Sequence, residues 1–132
     1  MAATAAGTFQ VTGWDESTNT QYEGDSKLTR ARITQAFAGG LAAAGPWEGT
    51  MFYRADGTAQ YTGLQRLEGD LDGRAGTFVL RSDGEYDGQV ASNTWTVVPG
   101  SGTGALEGLT GEGSARAPMG EEGEYSLAYV LD

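Results

Sequence analysis

A chain of 132 residues is long enough for one hydrophobic core and too short for two, so residues 1–132 are expected to form a single domain. Eighteen acidic residues against eight basic ones give a net charge of −10, which argues against nucleic acid or an anionic membrane as a partner. The absence of cysteine and histidine excludes disulfides, thiol nucleophiles, imidazole bases and zinc sites built from sulfur or imidazole. Acid and base chemistry is therefore left to carboxylates, tyrosines, Lys27 and water.

The amino-terminal residues 1–7 have neither a basic start nor a long apolar run, so they do not have the pattern of a secretory signal. No stretch of the chain approaches the roughly 20 apolar residues that a membrane helix requires. These features predict a cytoplasmic protein with no membrane partner.

Alternation of apolar and polar residues dominates the chain, and no segment keeps a helical period for long. The 22 glycines fall mostly between or within short apolar runs, as they do in all-β proteins with many turns. Taken in chain order, the pattern predicts eight strands, at residues 8–15, 28–38, 47–54, 58–68, 74–82, 85–98, 104–116 and 124–131.

Short turns at residues 55–57, 70–73 and 83–84 are expected to join strands that are neighbours and antiparallel. An even number of strands, short loops and no helix to cover a sheet face favour a closed sheet, because closure removes exposed edges. The predicted fold is all-β, an eight-stranded antiparallel up-and-down β-barrel.

The polar segment 16–26 is predicted to be the longest loop. Long loops are where binding function or mobility usually resides. Two interpretations stay open here: the segment only crosses the end of the barrel, or its Tyr22 covers an opening as a lid.

Charged residues within the strands indicate which face is outside. Arg81 belongs outside, and the residues that alternate with it then face inward. Trp47 follows Pro46 at the start of a predicted strand and is expected near a barrel mouth. The same alternation predicts an interior lined by Met51, Tyr53, Tyr61, Gln65, Phe78, Leu80, Ser82 and Trp95. An eight-stranded barrel has room either for these side chains alone or for one small ligand.

Several motifs occur in order along nearly the whole chain. They include the segment Gly7-Thr8-Phe9, residues 53–59, the run Gly-Thr-Phe-Val-Leu at 76–80, the glycine-rich block 94–111 and the closing residues 125–127. In these motifs the chain resembles the bacterial domain-of-unknown-function family DUF3224. The resemblance implies a calycin-like barrel similar to those of allene oxide cyclase and the dirigent proteins.

The chain also departs from that family pattern. Members commonly carry histidine just after the Phe-Val-Leu strand and again shortly before the last strand, where this chain has Ser82 and Met119. They often have glutamate where this chain has Gln65. The departures imply either a different reaction or catalysis that depends mainly on shape.

The predicted interior offers two kinds of site residue. Tyr53, Tyr61 and Gln65 are the catalytic candidates, because phenol and amide donors can hold a ligand carbonyl and stabilise negative charge that develops on it. The alternative for them is an ordinary hydrogen bond within the core. The predicted ligand wall is Trp47, Met51, Phe78, Leu80, Ser82 and Trp95, and the alternative for Trp95 is a core plug. No metal site and no cofactor are predicted.

The resemblance to allene oxide cyclase-like barrels implies a cofactor-independent isomerase or cyclase. Its substrate would be a small, largely apolar, conjugated molecule of natural-product type, held in the lumen, and ring closure would be promoted by freezing a reactive shape. The alternative is a lipocalin-like protein that binds a small hydrophobic molecule without changing it. A filled barrel that acts through protein contacts, and a homo-oligomer, also stay open.

Overall fold

The computed structural model describes residues 2–118 and 121–131. It contains eight strands: β1 (Ala2–Gln21), β2 (Lys27–Gly39), β3 (Leu41–Tyr53), β4 (Ala59–Leu71), β5 (Arg74–Tyr86), β6 (Val90–Val97), β7 (Thr110–Pro118) and β8 (Gly123–Val130). Each strand pairs antiparallel with the next, and β8 pairs with β1 to close the barrel. The predicted eight-stranded up-and-down barrel is confirmed. In the described part of the chain, no helix is long and apolar enough to span a membrane.

The predicted loop at 16–26 is wrong, because β1 continues to Gln21 and pairs with β2 as far as Lys27. A single 3₁₀ turn, Glu23–Asp25, completes a tight hairpin, and the backbone N–H of Tyr22 donates to the carbonyl of Ser26 at 2.9 Å. The Tyr22 ring lies 6.2 Å from the ring of Phe52, whose side chain is exposed on the outer surface. Tyr22 is therefore not a lid.

The turn predicted at 83–84 is also wrong. The ladder between β4 and β5 continues to the pair Ala59 and Tyr86, so Asp83 and Gly84 lie inside β5. The reversal comes at Asp87, whose carboxylate accepts hydrogen bonds from the backbone N–H groups of the two residues at 89 and 90. A side chain that satisfies the turn backbone in this way is a common signal for chain reversal.

Two further strand boundaries differ from prediction. β3 begins at Leu41, so Trp47 lies in the middle of a strand and is buried, not at a mouth. The segment predicted as the start of the seventh strand instead forms a 3₁₀ turn, Gly104–Leu106. Leu106 and Leu109 are both buried there and close one end of the barrel.

The barrel interior is packed solid at this end, which we call the packed half. Trp95 stacks on Tyr125 with ring centroids 5.7 Å apart, and Phe37 meets both rings edge-on at 5.6 Å. The Tyr125 hydroxyl donates to the carbonyl of Ala38 and accepts the backbone N–H of Leu41, each at 2.8 Å. The same half contains the buried side chains of Phe9, Leu67, Leu71, Phe78, Leu80, Val97, Leu127, Tyr129 and Leu131.

Candidate ligand cavity

The other half of the barrel contains a cavity of about 690 Å³. It lies at the end where β1, β3, β5 and β7 finish, and its volume is in the range of small-molecule sites. Its wall is mostly apolar and aromatic, with a few amides and carboxylates. The lining residues are Phe9, Gln10, Val11, Trp14, Ile33, Gln35, Trp47, Met51, Tyr53, Ala59, Tyr61, Tyr86, Ala91, Asn93, Ala117, Pro118, Glu121 and Glu122.

A β-bulge in β1 brings Trp14 to this cavity. Val11 is paired with Gln35 and Trp14 with Ile33, so the register shifts by one residue between Val11 and Gly13. Without the bulge, alternation would turn Val11 and Trp14 to opposite faces, whereas here both line the cavity. Val11 remains 50% exposed and Trp14 54% exposed, so the cavity wall offers uncovered apolar surface.

Two aromatic rings pack closely on glycines of the neighbouring strands. A Cβ atom at Gly63 would lie 2.7 Å from Cε2 of Trp47, and one at Gly84 would lie 2.6 Å from Cζ of Tyr61. The rings thus fill the places that side chains would otherwise occupy. The lumen beside them stays open, and Ala91 on β6 adds little bulk to its wall.

We expect Gly84→Ala to destabilise the fold by about 1–3 kcal/mol, because the new methyl group overlaps the Tyr61 ring and the carbonyl of Ser92. Urea unfolding of Gly84→Ala, Tyr61→Ala and the double variant measures the overlap with the ring. The double variant should be more stable than the sum of the single effects predicts, by at least about 0.5 kcal/mol. Additive costs would contradict the packing of ring on glycine.

A hydrogen-bonded chain leads from the cavity wall toward the packed half. The Tyr61 hydroxyl donates to Oδ1 of Asn93, and Nδ2 of Asn93 donates to Oγ of Ser82 at 3.2 Å. Burial raises the pKa of Tyr61 to about 12, so the phenol stays protonated and remains a donor at neutral pH. The partner of Tyr61 is therefore Asn93.

Gln65 belongs to a separate amide pair. Its Nε2 donates to Oε1 of Gln35 at 2.8 Å and to the carbonyl of Gly45 at 3.2 Å, and its side chain is buried. Gln35 lines the cavity, whereas Gln65 lies behind it. Gln65 therefore orients a wall residue instead of contacting the lumen directly.

Trp47 carries an unpaired donor in the cavity wall. Its indole is buried and meets the Tyr61 ring edge-on, with centroids 5.7 Å apart. Its Nε1 is buried without a hydrogen-bond partner among the described residues. A buried donor without a hydrogen bond lowers the stability of the fold by about 1–3 kcal/mol. An acceptor group on a bound ligand could remove this cost.

A carboxylate that the sequence interpretation missed lies beside Tyr53. Glu16 accepts hydrogen bonds from Oγ1 of Thr29 at 2.5 Å and from Nε1 of Trp14 at 2.9 Å. Burial raises the pKa of Glu16, but the hydrogen bonds of Thr29, Tyr53 and Trp14 and the charge of Lys27 outweigh it, so the net pKa lies below its ordinary value. Burial, followed by the neighbouring Glu16, raises the pKa of Tyr53. A charged carboxylate thus stands beside a protonated phenol, and of the two it is Tyr53 that lines the cavity.

This arrangement makes stability depend on pH. A carboxyl group with a lowered pKa stabilises the fold above its unfolded value of about 4.5, and that contribution is lost as the pH falls. We expect Glu16→Gln to lower the free energy of unfolding by about 1 kcal/mol at neutral pH, and the deficit to shrink below pH 4.5. Urea unfolding of both proteins, from neutral pH to below pH 4.5, measures this deficit. Glu68→Gln, on the exposed outer face, is the control, and a deficit of Glu16→Gln that persists into acid would contradict the account.

Comparison with known proteins identifies the family of this chain. The family model described as a protein of unknown function, DUF3224, matches residues 5–129. The chain belongs to the DUF3224 family. A crystal structure of a protein with unknown function from this family, from Shewanella oneidensis MR-1, is similar, with a TM-score of 0.80 and 28% sequence identity. That match covers 100% of this chain and 98% of the other. No curated protein matches the chain.

In this DUF3224 barrel the predicted site residues separate into two groups. Trp47, Met51, Tyr53 and Tyr61 line the cavity together. The four ligand-wall candidates Phe78, Leu80, Ser82 and Trp95 are buried on the inner face but lie outside the cavity lining. Met119 lies outside the described residues. Among the described residues, no group of three Asp or Glu side chains is arranged to hold a metal ion.

Proposed function

We propose that this DUF3224 barrel binds a small, largely apolar, conjugated molecule in the cavity of its open half. The observation that carries the proposal is the contrast between the two halves of one lumen. One half is filled by interlocking rings, and the other keeps about 690 Å³ free between aromatic walls. Burial of uncovered apolar surface, such as that of Val11 and Trp14, would supply the driving force.

The walls of the cavity support binding without large rearrangement. Tyr61 is held by Asn93, and Gln35 is held by Gln65, so the polar groups of the wall have fixed orientations. A pocket that is already ordered loses little entropy when a ligand enters. Flat conjugated ligands fit this site best, because they stack on aromatic rings.

Isothermal titration calorimetry with a panel of neutral conjugated alcohols tests the proposal. Binding with a negative heat-capacity change is expected, since apolar surface leaves water. Gly84→Ala, which should displace the Tyr61 ring toward the lumen, is expected to weaken binding of the same compounds. If no member of the panel binds to the wild-type protein, the proposal is wrong.

A cofactor-independent isomerase or cyclase is the second candidate, and the pairing of Tyr53 with Glu16 favours it. Neighbouring groups whose pKa values are pushed apart are suited to act as acid and base. Tyr53 lines the cavity, and a protonated phenol there can donate a proton or a hydrogen bond to a bound carbonyl. The Tyr61 hydroxyl donates to the amide oxygen of Asn93, whereas the Tyr53 hydroxyl donates to Sδ of Met51 at 3.7 Å, and a thioether sulfur is the weaker acceptor.

Conversion is tested by incubating the protein with linear conjugated precursors and separating products of unchanged mass by chromatography. If Tyr53 takes part, Tyr53→Phe should lower turnover by about a hundredfold or more while the substrate still binds. Gln65→Leu, one step behind the wall, should have a smaller effect. If the ligands are bound and released unaltered, the isomerase or cyclase candidate is wrong, and binding remains the proposed function.

A further inference from the structure

We infer that the ligand of this cavity is an organic cation: a conjugated body that carries a protonated or quaternary amine at the mouth. The inference rests on the proposed function and adds the sign of the ligand's charge. It comes from which charged and aromatic groups surround the cavity.

Negative charge collects at the mouth. Glu121 and Glu122 both belong to the cavity lining and are exposed. One oxygen of Glu122 accepts a hydrogen bond from Nε2 of Gln10 at 2.9 Å, which orients the carboxylate without neutralising it. Glu16 adds a third carboxylate behind Trp14 and Tyr53. Within residues 2–118 and 121–131, none of the three forms an ion pair with a basic side chain at contact distance.

Basic groups are missing from the same surface. Among the described residues that line the cavity, there is no lysine and no arginine. One basic group stands close to the aromatic wall: Lys27, whose Nζ lies 5.1 Å from the centroid of the Tyr53 ring and whose charge acts on Glu16. A carboxylate or phosphate ligand would therefore enter a site with net negative charge and no basic partner in its lining, which costs free energy.

The aromatic groups suit a cation as well. Trp14, Trp47, Tyr53 and Tyr61 all line the cavity. The negative faces of such rings attract ammonium groups, most strongly those of tryptophan. Lys27 already stands within cation–π distance of the Tyr53 ring, which leaves Trp14, Trp47 and Tyr61 as the rings for a ligand cation. Aromatic faces inside and carboxylates at the rim together select a positive, partly apolar molecule.

Three matched probes test the inference: naphthylmethylamine, naphthylmethanol and naphthoate, which share one ring system and differ in charge. At neutral pH and low salt, calorimetry should show the amine binding about tenfold more tightly than the alcohol, and the carboxylate binding most weakly. Added salt should reduce the preference for the amine, because screening weakens the attraction of the rim.

Two double variants locate the effect. Glu121→Gln with Glu122→Gln should remove most of the preference for the amine, measured as the ratio of the amine affinity to the alcohol affinity in the same variant. Glu107→Gln with Glu112→Gln removes the same net charge outside the cavity lining and should leave the preference intact.

The possible results distinguish the inference from the function on which it rests. Binding of the alcohol without a preference for the amine, or tighter binding of naphthoate, would overturn the cation inference and leave the binding function standing. An equal loss of preference in both double variants would overturn it too, because net charge alone would then explain the selection. If none of the three probes binds, both proposals fail.

Discussion

Phe78→Ala is expected to lower the free energy of unfolding by about 3–5 kcal/mol, a large part of the roughly 5–15 kcal/mol that stabilises an ordinary domain. Phe78 is buried in the packed half, where interlocking rings leave little freedom for neighbours to collapse into the space. The result is read from the midpoint of urea unfolding with an unchanged slope.

Leu64→Ala is the matched control for this loss. Leu64 is 53% exposed on the outer face of β4, so its truncation should change stability by no more than about 0.5 kcal/mol. A loss below about 1 kcal/mol in Phe78→Ala would contradict a solid packed half. Phe78 would then line a ligand site, as the sequence analysis predicts, and would not be part of a filled core.

Ala91→Trp is expected to block the cavity. Ala91 lines the lumen on β6, and its cross-strand partners Tyr86 and Ala117 line it as well. An indole at this position would occupy the volume that a ligand needs, and we expect the affinity to fall roughly 10- to 100-fold, or about 1.4–2.8 kcal/mol. The affinity for naphthylmethanol is measured by calorimetry.

Ser92→Trp is the control for that substitution. Ser92 is the next residue of β6 and is exposed on the outer face, so the same side chain there should leave the affinity unchanged. Both variants should stay folded, since the new indole enters open space in one case and solvent in the other. Undiminished binding in Ala91→Trp would mean that ligands bind elsewhere.

The barrel itself is predictable from the sequence because alternation and turns act locally. Arg81 marks an outer face, and Phe78 and Leu80 are therefore assigned correctly to the interior. Closure follows from the number of strands and their short connections. Asp87 explains the main local error, because two Asp-Gly pairs in succession both resemble turns and only pairing with β4 decides between them.

The cavity could not be predicted in the same way. The bulge between Val11 and Gly13 reverses the alternation, so Trp14 and Glu16 face inward although a regular strand would turn them outward. Glu16 also stands in a polar run that has the composition of a loop. The division into halves depends on long-range packing, above all on Leu106 and the rings around Trp95, which strand periodicity does not encode.

The central claim is that ligands enter the half of the barrel lined by Trp14 and Trp47 and not the half filled around Trp95. The chain has three tryptophans, so each indole N–H gives one signal in a heteronuclear NMR spectrum, assigned by single Trp→Phe variants. Titration with naphthylmethanol should shift the signals of Trp14 and Trp47, whose rings line the cavity, and leave that of Trp95 in place. A shift dominated by Trp95, or saturable binding that moves none of the three, would contradict the account.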